Sequence, residues 1–201
     1  MIRRVSALSA LFLAACSSAP PHYYTLISPP TTTATATRTT PAPFQFQLVS
    51  VRIPVQTDQP QLVVRQGQGE LAILENERWS APLADEFSGA LGDQLEHQLG
   101  IRNLANMPKD NVRPLLSMQI DVRRFESLPG NYVLIDVMWS LSQRDGNQQR
   151  RSLTCSTRLE KPAGNSLNDT VAAHQQLIAQ LAQTMAGTAR RWASQPTTPC
   201  P

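Results

Sequence analysis

The chain is poor in the groups that carry chemistry. Only 3 histidines and 3 cysteines occur among 201 residues, and no two histidines stand at metal-ligand spacing. The glycine-containing stretches GQGE and LPGN do not match phosphate-cradling loops, and no serine lies in a G-x-S-x-G setting. Asp85 and Glu86 are adjacent, so on a helix they point apart rather than forming a paired acid. These absences predict no catalytic set, no metal and no cofactor. Aromatics are 5% of the chain, and no Lys/Arg-rich block is interleaved with them, which argues against a nucleic-acid surface. Nowhere does an apolar run approach the roughly 20 residues that cross a bilayer as a helix.

The longest apolar run, residues 5–14, sits directly behind Arg3 and Arg4 and reads as the core of a secretory signal. It is followed by Leu13-Ala14-Ala15-Cys16, the lipobox pattern of bacterial lipoproteins. On that reading residues 1–15 are removed and Cys16 carries lipid on its sulfur and its amine. An ordinary signal cut elsewhere, with Cys16 incidental, is the competing reading. Removing Arg3 and Arg4 leaves 16 Lys+Arg against 15 Asp+Glu, a net charge of about +1 in place of +3. The basic balance of the full chain is therefore partly a property of the signal.

With Cys16 lipidated, Cys155 and Cys200 remain as a candidate disulfide, the usual state of a leftover pair outside the cytoplasm. Closing that loop of about 45 residues would stabilise the fold by about 4 kcal/mol in the chain-entropy view. Two free thiols, one on a frayed tail, are the alternative.

Residues 16–43 form a candidate tether, with residues 28–43 almost wholly Pro, Thr and Ala. At roughly 3 Å per residue it would reach up to about 80 Å. Inside it Tyr23, Tyr24 and Leu26 stand out as a strand-like segment that docks on the folded domain, or else as a sticky disordered patch. One domain is expected over residues 44–194, with a tail at 195–201.

Within that domain, FQFQLVSVRIP alternates with a shift after Leu48, which predicts a strand with a bulge ended by Pro54. QLVVR and GELAILEN around Gly67–Gly69 suggest a hairpin. Leu83, Phe87, Leu91, Leu95 and Leu99 recur every four residues, giving a helix with Ser80 as N-cap, Pro82 in its first turn and Gly100 as its stop. A short strand is expected at 101–105. Three alternating runs, joined by SLPGN and QRDGNQQ, form an antiparallel meander in which Trp139 faces the core. Asp136, on the other face, should pair with Arg123 or Arg158 on a neighbouring strand. A second helix follows, with Val171, His174, Ile178, Leu181, Met185, Thr188 and Trp192 on one face. A lone His on such a face is ordinarily a hydrogen-bonded core residue. The fold class is α+β: a two-layer sandwich of a largely antiparallel sheet with two amphipathic helices on one face. Trp79 staples the first helix to the sheet or, with Pro82, Leu83 and Trp192, belongs to a docking surface.

The lipobox, the YYTL segment, VRIPVQTDQPQLVVRQ, the run NERWSAPL (residues 76–83) and RRFES…GNYVLIDVMWSL together resemble the PqiC/YmbA-type lipoproteins, the ABC-type transport auxiliary lipoprotein components. The resemblance spans nearly the whole chain. Val55-Gln56 departs from the aromatic or Leu that the family usually has after the proline. The resemblance implies a non-enzymatic subunit of an intermembrane lipid-transport system that maintains envelope integrity. Its implied partners are an MCE-domain tunnel protein, ABC transporter components in some systems, and further copies of itself in a ring. Ser17 rather than Asp after the lipidated cysteine implies sorting to the outer membrane, on its periplasmic face. A structural envelope lipoprotein that binds cell wall or another envelope protein is the alternative.

Overall fold

The computed structural model describes residues 19–29, 39–144, 150–195 and 197–201. The signal at 1–15, Cys16, most of the Thr/Pro-rich stretch and the QRDGNQQ turn lie outside the described residues.

The described residues form two mixed sheets and two helices, an α+β fold. Strands β2 (Gln45–Arg52), β5 (Leu115–Leu128), β6 (Tyr132–Arg144) and β7 (Arg150–Pro162) form a four-stranded sheet in the order β2-β5-β6-β7. Strands β1 (His22–Tyr24), β3 (Gln61–Arg65) and β4 (Leu71–Trp79) form a three-stranded sheet in the order β1-β4-β3. The expected hairpin is β3–β4 and the expected meander is β5–β6–β7, all antiparallel.

The strands divide into two sheets rather than one. Each sheet carries one parallel pair, β1 with β4 and β2 with β5. Both pairs join strands that are remote in sequence, with other elements threaded between them, and such pairing leaves no local signal. The bulge in β2 lies between Leu48 and Ser50 and turns Val49 out to solvent. In place of a strand at 101–105 there is a single parallel bridge from Phe46 to Asn103.

Helix α1 (Leu83–Leu99) buries its whole leucine/phenylalanine stripe against the sheet and the second helix. Its N-cap position is Pro82, with no side-chain cap, so Ser80 is not the cap. Ser80 instead gives its hydroxyl to Glu86. The helix ends at Gly100, whose φ of +65° is the left-handed C-terminal conformation. A Cβ there would stand 2.9 Å from the Thr39 carbonyl oxygen, so both conformation and space demand glycine.

Helix α2 (Leu167–Ser194) starts with a capping box: Ser166 accepts from the Asp169 amide, and Asp169 accepts from the Ser166 backbone. Its predicted apolar face is buried from Val171 to Trp192. Near its other end Arg190 donates to the carbonyl oxygens of Thr40 (2.7 Å) and Leu99 (3.1 Å). The C-terminal carbonyls of α1, which have no helical partners, are thereby satisfied by a cation.

Trp79 and Trp192, for which two readings were given, are both core residues, as are Leu83 and, in the docking segment, Leu26, none more than 5% exposed. Trp79 and Phe87 each meet Phe125 edge to face, and the Arg151 guanidinium lies 4.3 Å over the Trp192 ring. Their apolar area is removed from water inside the domain, which leaves none to offer a partner. Pro82 and Tyr23 stay exposed. Trp139 is buried as expected, its indole N–H donated to Thr157 (2.9 Å). Asp136 pairs with Arg123 at 2.6 Å.

Candidate functional site

A set of polar side chains clamps the N-terminal segment onto the domain. Strand β1 runs parallel to β4, with His22 opposite Glu77, Tyr23 opposite Arg78 and Tyr24 opposite Trp79. Three residues of parallel pairing are weak by themselves, and side chains complete the attachment. Glu77 takes the Tyr24 hydroxyl (2.7 Å) on one oxygen and His22 Nδ1 (2.9 Å) on the other. These two hydrogen bonds hold the Glu77 carboxyl below its ordinary range. Burial and the neighbouring carboxylate push Tyr24 up to about 12.

Next along the chain, the Glu86 carboxylate accepts the Thr25 hydroxyl and the Leu26 amide on one oxygen, both at 2.8 Å, and the Ser80 hydroxyl on the other. Glu86 is buried in the first turn of α1, where the helix dipole favours a negative charge. Its three donors satisfy a charge that would otherwise be costly to bury. From α2, Gln175 donates to the Thr25 carbonyl oxygen (3.0 Å). One strand and two helices thus hold residues 22–27, and Leu26 is sealed into the core at 1% exposure. The segment expected to dock belongs to the folded unit. The described fold therefore begins at β1, upstream of the expected domain start at Phe44.

Sequence reasoning singled out Tyr23, Tyr24 and Leu26 but missed Glu77, Glu86 and Gln175. Glu86 had a signal: an acidic residue in the first helical turn on the same side as the apolar stripe, one residue before Phe87. Glu77 and Gln175 had none, because their partners lie 53 to 55 and 150 residues away.

Two other clusters bear on the search for chemistry. Ser127 and His174 Nε2 lie 2.9 Å apart, and the imidazole stacks on Phe125 with centroids at 4.0 Å. His174 Nδ1 is buried without a partner. Burial pushes the imidazole down to about 3, so it is neutral at ordinary pH. The pair lacks the orienting carboxylate of a nucleophilic triad and is closed to solvent on the His174 side. The second cluster is Glu126, which takes Arg124 (2.8 Å), Arg65 (3.2 Å) and the Tyr132 hydroxyl (3.2 Å). Burial works against its charge, but the two guanidinium hydrogen bonds outweigh it and hold the carboxyl low. This cluster fastens β3 to β5, and so one sheet to the other. Among the described residues no group of three or more His, Cys, Asp or Glu is placed to hold a metal.

Cys155, on the inner side of β7, is joined to Cys200 with Cα atoms 5.5 Å apart. The bridge fixes the C-terminal tail to the edge strand of the four-stranded sheet.

The described geometry defines a class: a small disulfide-closed α+β domain with a clamped N-terminal lead strand, and no described helix long and apolar enough to cross a membrane. Residues 24–186 match the ABC-type transport auxiliary lipoprotein components, and the chain belongs to that family. Membership makes it an envelope lipoprotein associated with a transport system. Among solved structures it resembles an uncharacterized protein (TM-score 0.63, 18% identity, covering 84% of this chain and 98% of that one). It also resembles a Xanthomonas campestris protein (TM-score 0.57, 19% identity, 89% and 97%). At these identities the likeness is one of fold. No curated protein matches the chain.

Proposed function

We propose that the protein is a non-catalytic adaptor, anchored to the periplasmic face of the outer membrane through lipid on Cys16, in an MCE-type intermembrane lipid-transport system. It docks the end of an MCE tunnel as a homo-oligomeric ring and links it to the membrane that receives or supplies lipid. The observation that carries this reading is the family match over residues 24–186. The lipobox, the Ser17 that follows it and the clamp on β1 support it. A chain whose work is attachment has use for a rigid lead strand and none for a catalytic pocket.

Affinity purification from cross-linked envelopes, followed by membrane fractionation, tests the proposal. Recovery of an MCE-domain protein with the lipoprotein in the outer-membrane fraction is expected. Recovery of peptidoglycan alone would overturn it in favour of a structural cell-wall role.

A further inference from the structure

Strand β1 is both the lead strand of the domain and the stretch nearest the anchor. Only five residues separate Cys16 from His22. At no more than about 3.6 Å per residue, the six-residue step reaches roughly 20 Å at most. Strand β1 pairs with the last three residues of β4, so the chain leaves the pairing upstream of His22 beside Glu77. On the lipid-anchor reading, whatever holds Cys16 lies within that reach of His22.

That sheet has two unlike faces. Leu62 and Val64 of β3 point inward and are buried, so Val63 and Arg65 point outward. Register carries the outward face across the sheet: Val63 lies opposite Ile73, Arg65 opposite Leu71, and Arg78 opposite both Gln61 and Tyr23. Tyr23 is 64% exposed, Ile73 50% and Leu71 45%, all on this side, away from the buried core. Arg78 stands between Tyr23 and Gln61 and donates one N–H to the Glu75 carbonyl oxygen (3.2 Å). Arg65 is already paired with Glu126. Between Ile73 and Arg78 the exposed Glu75 accepts from Gln61 (3.2 Å), and Leu71 borders a cleft shared with Arg124 and Phe125 of β5. An aromatic ring, two aliphatic side chains and a guanidinium around that Gln61–Glu75 pair have the composition of a surface that rests at a bilayer interface, where amphipathic rings sit at headgroup level and cations meet lipid phosphates.

We propose that the outward face of the β1-β4-β3 sheet, through Tyr23, Leu71, Ile73 and Arg78, lies on the phospholipid surface that holds the Cys16 anchor. The proposal rests on the lipid-anchor reading. It makes the domain a body of fixed tilt rather than one on a leash, with the acyl chains and this face as two attachments. The four side chains are too few to bind a membrane alone, so the face orients while the anchor retains.

The test uses the full lipidated chain reconstituted in phosphatidylethanolamine/phosphatidylglycerol vesicles whose acyl chains are brominated near the headgroups. The native tryptophans Trp79, Trp139 and Trp192 are buried and give a constant background. A reporter is added by Ile73→Trp, by Tyr23→Trp as a conservative second variant, or by His97→Trp on the exposed side of α1 as a control. Emission added at positions 73 and 23 should be lost relative to unbrominated vesicles, and emission added at 97 retained. Flotation of the wild type and of Cys16→Ser separates the two premises. If the wild type floats and Cys16→Ser does not, but positions 73 and 23 are unquenched or 97 is quenched equally, the face proposal falls while the anchor stands. If Cys16→Ser floats as well as the wild type, or the wild type does not float, the anchor reading falls and the proposal with it.

Discussion

Glu86, in the first turn of α1, accepts the backbone N–H of Leu26 at 2.8 Å across 60 residues of sequence. Glu86 is therefore one of the groups, with Glu77 and Gln175, that fix the N-terminal segment to the domain. Its other ligands, the Thr25 and Ser80 hydroxyls, come from the two chain segments that flank the joint between β1 and β4.

Glu86→Ala should leave the Leu26 amide without an acceptor in the core. An unsatisfied buried donor costs about 1–3 kcal/mol, and the loss of a charged acceptor lies at the upper end. Urea unfolding should show that loss. Limited proteolysis should show faster cutting between residues 22 and 42, because the clamp opens before the domain does. Unchanged cutting there would mean that the β1 pairing, Glu77 and Gln175 hold the segment without Glu86.

His174 gives the fold an acid limit. Its folded-state value, about 3, lies below the ordinary 6.5, so the unfolded chain binds a proton that the folded chain refuses. Stability is complete above about pH 6.5 and falls by about 1.4 kcal/mol per pH unit as the pH drops through the window between the two values. Glu77 and Glu126 are both held low and titrate beneath the upper part of that window. Chemical denaturation at pH 6.5 and pH 5 should therefore show the slope in the wild type. His174→Phe should flatten it while costing some stability at both pH values through the Ser127 hydroxyl.

Gly100→Ala should destabilise by about 1–2 kcal/mol, since an L-residue is forced into the left-handed region. The added methyl also presses on the Thr39 carbonyl oxygen, so the connection into Ala42 shifts with it. The Ala42 amide hydrogen-bonds the Leu99 carbonyl oxygen at 2.9 Å, and its exchange protection is the readout. A melting temperature equal to that of the wild type would show that the helix end can re-form without its left-handed turn.

Reduction of the Cys155–Cys200 bridge, whose partners are 45 residues apart, should cost about 4 kcal/mol if restriction of the unfolded chain is the main term. Urea midpoints with and without reductant measure it, and Cys200→Ser should reproduce the reduced value. A much smaller loss would indicate that α2 already keeps the tail near β7.

Elements with local periodicity were legible before any coordinate. The four-residue stripe from Leu83 to Leu99 and the face from Val171 to Trp192 are both buried as read, because helix period and apolar spacing coincide. The β5–β6–β7 meander was legible for the same reason, with a two-residue period and short turns. The choice between core and docking surface was not legible, because apolar side chains announce burial without saying what buries them. Trp79 and Trp192 read equally well as core or interface until the sheet and the helices are assembled around them.

The sequence by itself determined the two helices and the β3–β4 and β5–β6–β7 strands, that Tyr24 and Leu26 differ from their Thr/Pro-rich surroundings, and that Cys16 follows a lipobox. Those properties are local: periodicity, composition and a motif of adjacent residues. Only the tertiary structure decided that β1 pairs with β4, that Glu77 and Glu86 hold it, and that the distance from Cys16 to the folded domain is six residues. Parallel pairing and buried hydrogen bonds join residues separated by 53 to 150 positions, and no local pattern encodes such partners.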